Sequence, residues 1–304
     1  MGEIWGVMAA VLSSGIGGTA VVATRYVMGV IDPLTLGALR FGIGFVLLLP
    51  IALLQRATWP GRRDWPGVAS LGLLFFALFP ILFNASLIYT TAARGALALS
   101  TLPLLTLLVG ALLGVEQLTF RKTLGVLIAM SGVAMALLSG LATVPAGAWR
   151  GDLLMIGAAL CMALYNVWSR PFIRRSGPIP FATAGMGVGA LCLIVVAVLR
   201  DGLAPLAAFD LPQWSAVAYL GVFGGAVTFF LWAFALGRAS PTRVAISVTV
   251  NPITASLFGA ALLGEAIRWN LVVGLVTVFA GIWLAVTAKR PAKVYSAGTD
   301  STSG

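Results

Sequence analysis

The feature that most constrains this sequence is the length of its apolar runs. Ten stretches carry almost no charge, at about 4–24, 34–54, 67–88, 95–114, 122–140, 153–173, 180–199, 214–236, 244–263 and 270–288, and a helix needs roughly 20 such residues to cross a bilayer. Inside lipid every backbone N–H and C=O must be paired internally, so runs of this length can fold only as spanning helices. Composition agrees: of 304 residues, 60% are apolar and 9% charged, whereas a soluble domain carries about 25% charged residues. A soluble enzyme, a nucleic-acid-binding domain and a disordered chain are excluded. The first run is a span and not a cleavable signal, because it lacks a basic leader and nine more runs follow.

Two absences narrow the chemistry. The chain has no histidine, which removes Ser-His-Asp triads, Cys-His pairs and His-ligated zinc. Its two cysteines, Cys161 and Cys192, lie within apolar runs, where a thiol behaves as a small apolar side chain. The net charge of +10 is explained by its distribution. With the first residue placed in the cytoplasm, alternate loops on that side hold 13 Lys and Arg (Arg56, Arg62, Arg63, Arg121, Lys122, Arg170, Arg174, Arg175, Arg238, Arg243, Lys289, Arg290, Lys293). The other side holds 5 (Arg25, Arg94, Arg150, Arg200, Arg268), and Arg40 lies within a span. That bias predicts both termini in the cytoplasm.

An internal repeat organises the spans. A shift of 149 residues aligns Asp64–Ala136 with Gln213–Ala285 without a gap, matching Trp65 with Trp214, Arg94 with Arg243, Pro103 with Pro252 and Glu116 with Glu265. Matched Arg, Pro and Glu at one offset are far less easily produced by chance than matched Leu or Val. The predicted organisation is a first five-helix repeat over 1–140, a second over 151–288 and a mobile cytoplasmic tail over 289–304. Five is odd, so the second repeat enters the membrane in the opposite sense. Inverted repeats are a recurring transporter design, with the substrate site near the midplane between halves.

The repeat, Pro103 and Pro252 in spans 4 and 9, the Gly264-Glu265 and Gly114-Val115-Glu116 ends and the Leu39-Arg40-Phe41 start of span 2 resemble the EamA-type ten-helix members of the drug/metabolite transporter superfamily. Within it the sequence is most similar to the YddG-type exporters of aromatic and other neutral amino acids. The resemblance implies an all-α membrane protein, ten transmembrane helices as two inverted five-helix repeats around a central cavity. It also implies a bacterial inner-membrane location and a cavity lined chiefly by spans 1, 3, 4, 6, 8 and 9.

Polar and aromatic groups in mid-span mark the expected pathway, since hydrocarbon offers them no partner. Span 1 supplies Ser13, span 3 Phe79, Phe83 and Asn84, and span 4 Ser100 and Pro103. Span 6 supplies Tyr165, Asn166 and Trp168, span 8 Trp232, and span 9 Asn251 and Pro252. These twelve are the predicted substrate-binding residues. The prolines leave a backbone carbonyl unbonded near the midplane, a receptor for an ammonium group. Arg40, Arg94 and Arg243 are predicted to act at the mouths; Arg40 is read as reaching outward from span 2, or as holding a carboxylate there. The Gly15-Ile-Gly17-Gly-Thr-Ala20 spacing imitates a dinucleotide motif, but with no preceding strand it carries no such meaning.

None of the nine acidic residues falls in the centre of a span. Small multidrug exporters of the same superfamily depend on a glutamate in their first helix, which this sequence lacks. An uncharged, aromatic centre is therefore expected, suited to neutral amphipathic solutes such as amino acids with apolar side chains, moved by alternating access and facilitated diffusion. The alternatives are export of another metabolite or xenobiotic, with or without proton coupling, and a membrane-embedded transferase, which would need an interfacial His/Asp/Glu cluster. The expected partners are a small-molecule substrate and the lipid bilayer, with no cofactor, catalytic residue, metal or nucleic acid, in a monomer.

Overall fold

The structure is a computed structural model that describes residues 2–54, 58–115, 119–138, 147–267 and 269–286. Arg56, Glu116, Arg268 and the tail 289–304 lie outside the described residues, so the expectations placed on them are not addressed. Among the described residues all regular structure is helical.

Eight helices are long and apolar enough to cross a membrane: α1 (Gly2–Val27), α2 (Pro33–Leu54), α3 (Trp65–Tyr89), α4 (Ala92–Leu112), α6 (Ala148–Trp168), α7 (Pro178–Leu199), α8 (Leu211–Arg238) and α9 (Pro241–Leu263). At about 1.5 Å per residue they measure roughly 31–42 Å, enough for the ~30 Å hydrocarbon layer. Helices α5 (Phe120–Leu138) and α10 (Trp269–Val286) occupy the two remaining predicted runs, with shorter apolar stretches at Thr123–Gly132 and Val272–Gly281. Helix α6 differs from its predicted limits of 153–173. It stops at Trp168 and a short helix, Arg170–Ser176, follows after Ser169, because Pro171 cannot donate the backbone bond that would continue it.

Four of the long helices are interrupted. Helix α3 contains a π-helical stretch, Leu74–Leu78, just before Phe79 and Pro80, and α8 contains a longer one, Leu220–Val227. Helix α4 breaks at Ser100 and Thr101 and restarts at Leu102-Pro103. Helix α9 tightens to a 3-10 stretch, Ser247–Val250, and restarts at Asn251-Pro252. A proline fits the first turn of a helix better than its interior, and each of these two helices is built as a pair of shorter ones stacked end to end. Their starts are capped alike: Thr91 accepts from the Arg94 amide and Ser240 from the Arg243 amide, the ordinary role of Thr and Ser at N-caps.

Helix α1 packs against α8 and α9, α6 against α3 and α4, α2 beside α7, and α5 beside α10. Each of these contacts joins a helix before residue 140 to one after it. Small residues let the backbones approach closely. A Cβ added to Gly72 would lie 2.6 Å from the Gly185 carbonyl oxygen, and one added to Gly281 2.4 Å from that of Gly125. The outer surface is apolar, with Leu54, Leu112, Phe120 and Trp283 exposed, as a lipid-facing surface requires.

Candidate functional site

The interrupted helices converge on the middle of the bundle. A cavity of about 40 Å³ lies there, lined by Ser13, Ser14 and Gly17 of α1, Arg40 of α2, Phe79 and Phe83 of α3, Leu99 of α4, Met162 of α6, Thr228, Phe229 and Trp232 of α8, and Val248 and Asn251 of α9. This holds a few water molecules at most and is too small to take an amino acid as it stands.

The polar lining is partly tied down. The Ser13 hydroxyl donates to the Thr228 carbonyl at 2.9 Å, and the hydroxyls of Ser14 and Ser247 share a 3.0 Å bond, so α1 is held to both α8 and α9. Asn166 accepts from the Trp232 indole N–H at 2.8 Å and fixes the ring that faces the cavity. Behind the lining is an aromatic cluster. Phe75 stacks on Tyr165 with centroids 3.9 Å apart, and Phe229 meets Phe41, Phe75 and Phe76 at 5.2–5.4 Å. Such offset and edge contacts stiffen the wall.

The predicted site residues therefore divide. Ser13, Phe79, Phe83, Trp232 and Asn251 line the cavity. Asn166 stands directly behind Trp232, and Tyr165 lies farther back, stacked on Phe75, which packs on Phe79 and Phe229. Asn84 turns elsewhere, its amide donating to the Pro33 carbonyl at the start of α2. Ser100 bonds back to Ala96 within its own helix, and Pro103 and Pro252 are buried at the helix restarts without lining the cavity. Trp168 is 45% exposed and points away from the centre.

Arg40 is the main departure from the sequence expectation. It does not reach outward to a mouth. It is 4% exposed and lines the cavity, so the centre expected to be uncharged contains a guanidinium. Two physical reasons draw it inward. Arg40 Nε and Nη2 both donate to the Gly224 carbonyl, within the π-helical stretch of α8, at 3.1 and 2.7 Å. The rings of Phe41, Phe83 and Phe229 surround the guanidinium carbon at 5.4–5.9 Å, a cation–π setting.

Arg94 and Arg243 sit at opposite ends of the bundle. Arg94 pairs with Asp152, Nε to Oδ1 at 3.0 Å and Nη2 to Oδ2 at 2.6 Å. Arg243 pairs with Glu3 at the start of α1, while Arg25, near the other end of α1, donates to Leu87 close to the start of α4. Beside Arg94, the Glu265 carboxylate accepts from the amides of Ala92 and Ala93 at 3.0 and 3.4 Å, an anion on a helix N-terminus. Sequence reading missed Glu3 and Asp152 as partners, although they too stand 149 residues apart. It also missed Phe229 and Met162. Phe229 was within reach, since it lies three residues before Trp232 on the same helix face. Met162 carries no signal in an apolar helix.

The sequence and the fold have counterparts among known proteins. The family model described as the EamA-like transporter family matches residues 4–138 and again 149–287. The chain is 26% identical over 265 residues to an uncharacterized transporter of Bacillus subtilis (strain 168), YyaM, covering 86% of this chain and 87% of the relative. It is 26% identical over 229 residues to a probable terminal-alkyne amino-acid exporter of Streptantibioticus cattleyicolor, covering 74% of each. A solved crystal structure superposes with a TM-score of 0.69 at 21% identity, covering 93% of this chain and 96% of that one; this likeness shows the fold alone.

Proposed function

The chain belongs to the EamA-like transporter family, and on that premise we propose that it exports small amphipathic zwitterions, foremost amino acids with apolar or aromatic side chains. The observation that carries this reading is the composition of the central cavity. Aromatic and thioether groups (Phe79, Phe83, Phe229, Trp232, Met162) share one small space with Ser13, Ser14 and Asn251, a wall for an apolar side chain beside groups that bond a polar head. One of the relatives is named as an amino-acid exporter, which supports the same class.

The proposed mechanism is alternating access in a ten-span protein of two inverted five-helix repeats, seated in a bacterial inner membrane with both termini cytoplasmic. Support comes from the family model matching twice, from π-helical stretches before Phe79 and Thr228, which stand 149 residues apart, and from the Arg94–Asp152 and Arg243–Glu3 pairs at opposite ends. Each pair joins the two halves, so releasing one and keeping the other would open the cavity to one side only. The described spans contain no carboxylate in the central cavity, which supports facilitated diffusion down the solute gradient over proton exchange.

Purified protein in liposomes tests the reading. Radiolabelled phenylalanine, leucine and tryptophan should enter by counterflow, at a rate unchanged when a proton ionophore removes the pH gradient. Absence of counterflow for all three would refute amino-acid export, and collapse with the ionophore would refute facilitated diffusion.

A further inference from the structure

Arg40 and Asn251 share the central cavity and each is left with bonding capacity that the protein does not use. Arg40 is 4% exposed and Asn251 5%. The guanidinium forms no ion pair among the described residues. Nε and Nη2 both go to the neutral Gly224 carbonyl, so its charge is met at close range by a dipole and by ring faces. Removing a lone cation from water without an anion carries a large desolvation cost. Asn251 presents the complementary deficit, since its Oδ1 is buried with no donor. A donor fork without an anion and an acceptor without a donor thus face one space, walled otherwise by Phe79, Phe83 and Trp232.

We propose that Arg40 and Asn251 together form an α-amino-acid head-group site, in which the Arg40 guanidinium takes the substrate carboxylate and Asn251 Oδ1 takes the ammonium. This rests on the transport reading above and sharpens it to solutes that carry both groups. Guanidinium and carboxylate match as planar fork to planar fork, and the ring-lined setting leaves room for few competing waters. A free amine brings a second cation beside Arg40 and is rejected. An acid without an ammonium group satisfies Arg40 but leaves Asn251 unpaired. The cavity as it stands admits only water, so the site widens as one end of the bundle opens.

The test is proteoliposome transport of four solutes with one side chain: phenylalanine, phenylalaninamide, phenethylamine and 3-phenylpropionate. Phenylalanine should be moved best, the amide and the amine about 10- to 100-fold less efficiently in kcat/KM, the span expected for losing a charged hydrogen-bond partner, with 3-phenylpropionate between. R40Q should lose phenylalanine transport by a similar factor and with it the discrimination against phenylalaninamide, while R40K keeps that discrimination at a raised KM. N251A should raise KM for phenylalanine far more than for 3-phenylpropionate. If wild-type protein moves the amide or the amine as well as phenylalanine, the head-group site is wrong and amino-acid export stands. If R40Q slows transport but still discriminates, Arg40 merely ties α2 to α8 and the assignment is overturned. If R40Q does not fold, R40K and the wild-type panel decide. If none of the four solutes moves, the export reading itself fails.

Discussion

Arg94 grips both carboxylate oxygens of Asp152, joining the start of α4 to the start of α6 across the two halves of the chain. Shifted by 149 residues, the same relationship reappears with the halves exchanged, as Arg243 and Glu3. The two pairs are not equal. The side chains of Arg94 and Asp152 are 10% and 13% exposed, those of Arg243 and Glu3 28% and 40%. Breaking a buried pair costs about 3–5 kcal/mol, whereas an exposed one contributes roughly 0–1 kcal/mol. The Arg94 end is the more firmly held.

Asp152→Asn should therefore loosen the Arg94 end, and Glu3→Gln should change the Arg243 end much less. Thr90, buried at the junction of α3 and α4 at 1% exposure, is a suitable reporter. In a chain with Cys161 and Cys192 replaced by Ser, Thr90→Cys should react with a hydrophilic maleimide several-fold faster in the Asp152→Asn background. The exchanged pair R94D/D152R should return the rate towards the starting value. Equal rates in all three would show that the pair does not control access.

Asn166 and Trp168 are two residues apart and should behave oppositely. Replacing Asn166 by Leu strips the Trp232 indole of its partner while the ring stays buried, which costs about 1–3 kcal/mol and frees a wall of the cavity to turn. KM for phenylalanine should rise. Trp168→Ala, on an exposed surface, should leave kcat and KM within about twofold, the range of ordinary surface changes. A large effect of Trp168→Ala would place the pathway elsewhere.

Gly189 should not tolerate a side chain. A Cβ there would lie 2.4 Å from Phe76 Cβ and 2.7 Å from the Phe76 carbonyl carbon, and backbone atoms cannot swing aside. Gly189→Val should force α7 from α3 and cost about 1–3 kcal/mol, read as a lower unfolding midpoint in detergent. Gly29→Ala, with nothing within 4 Å of the added atom, is the matched control and should leave the midpoint where it was.

Much of the fold was legible because lipid imposes a simple rule. Runs of the right length become helices, and seven of the eight clear spans lie within about three residues of their predicted ends. The ends of α6 were harder, because hydropathy continues past Trp168 while Pro171 stops the helix. The site was only half legible. Polar residues in mid-span are visible in a sequence, but their direction is not: Ser13 and Asn251 turn to the cavity, Ser100 bonds its own helix, and Asn84 bonds the start of α2. Arg40 was misplaced for a specific reason. Nearness to a helix end favours snorkelling to water, and nothing in the sequence marks the Gly224 carbonyl, within a π-helical stretch, as its partner.

The five-residue π-helical stretch of α3, Leu74–Leu78, changes what a shift in chain length does to this protein. Deleting one residue from an ordinary α-helix rotates everything beyond it by about 100° and would turn a cavity face towards lipid. A single π-helical turn is an α-helix already carrying one residue too many. Losing Leu78, whose side chain is 45% exposed at the surface, returns the stretch to regular winding and leaves Gly72 on one side and Phe79 and Phe83 on the other facing as they do now. Helix α3 thus holds a spare residue, a position where the chain can shorten by one without losing its phase.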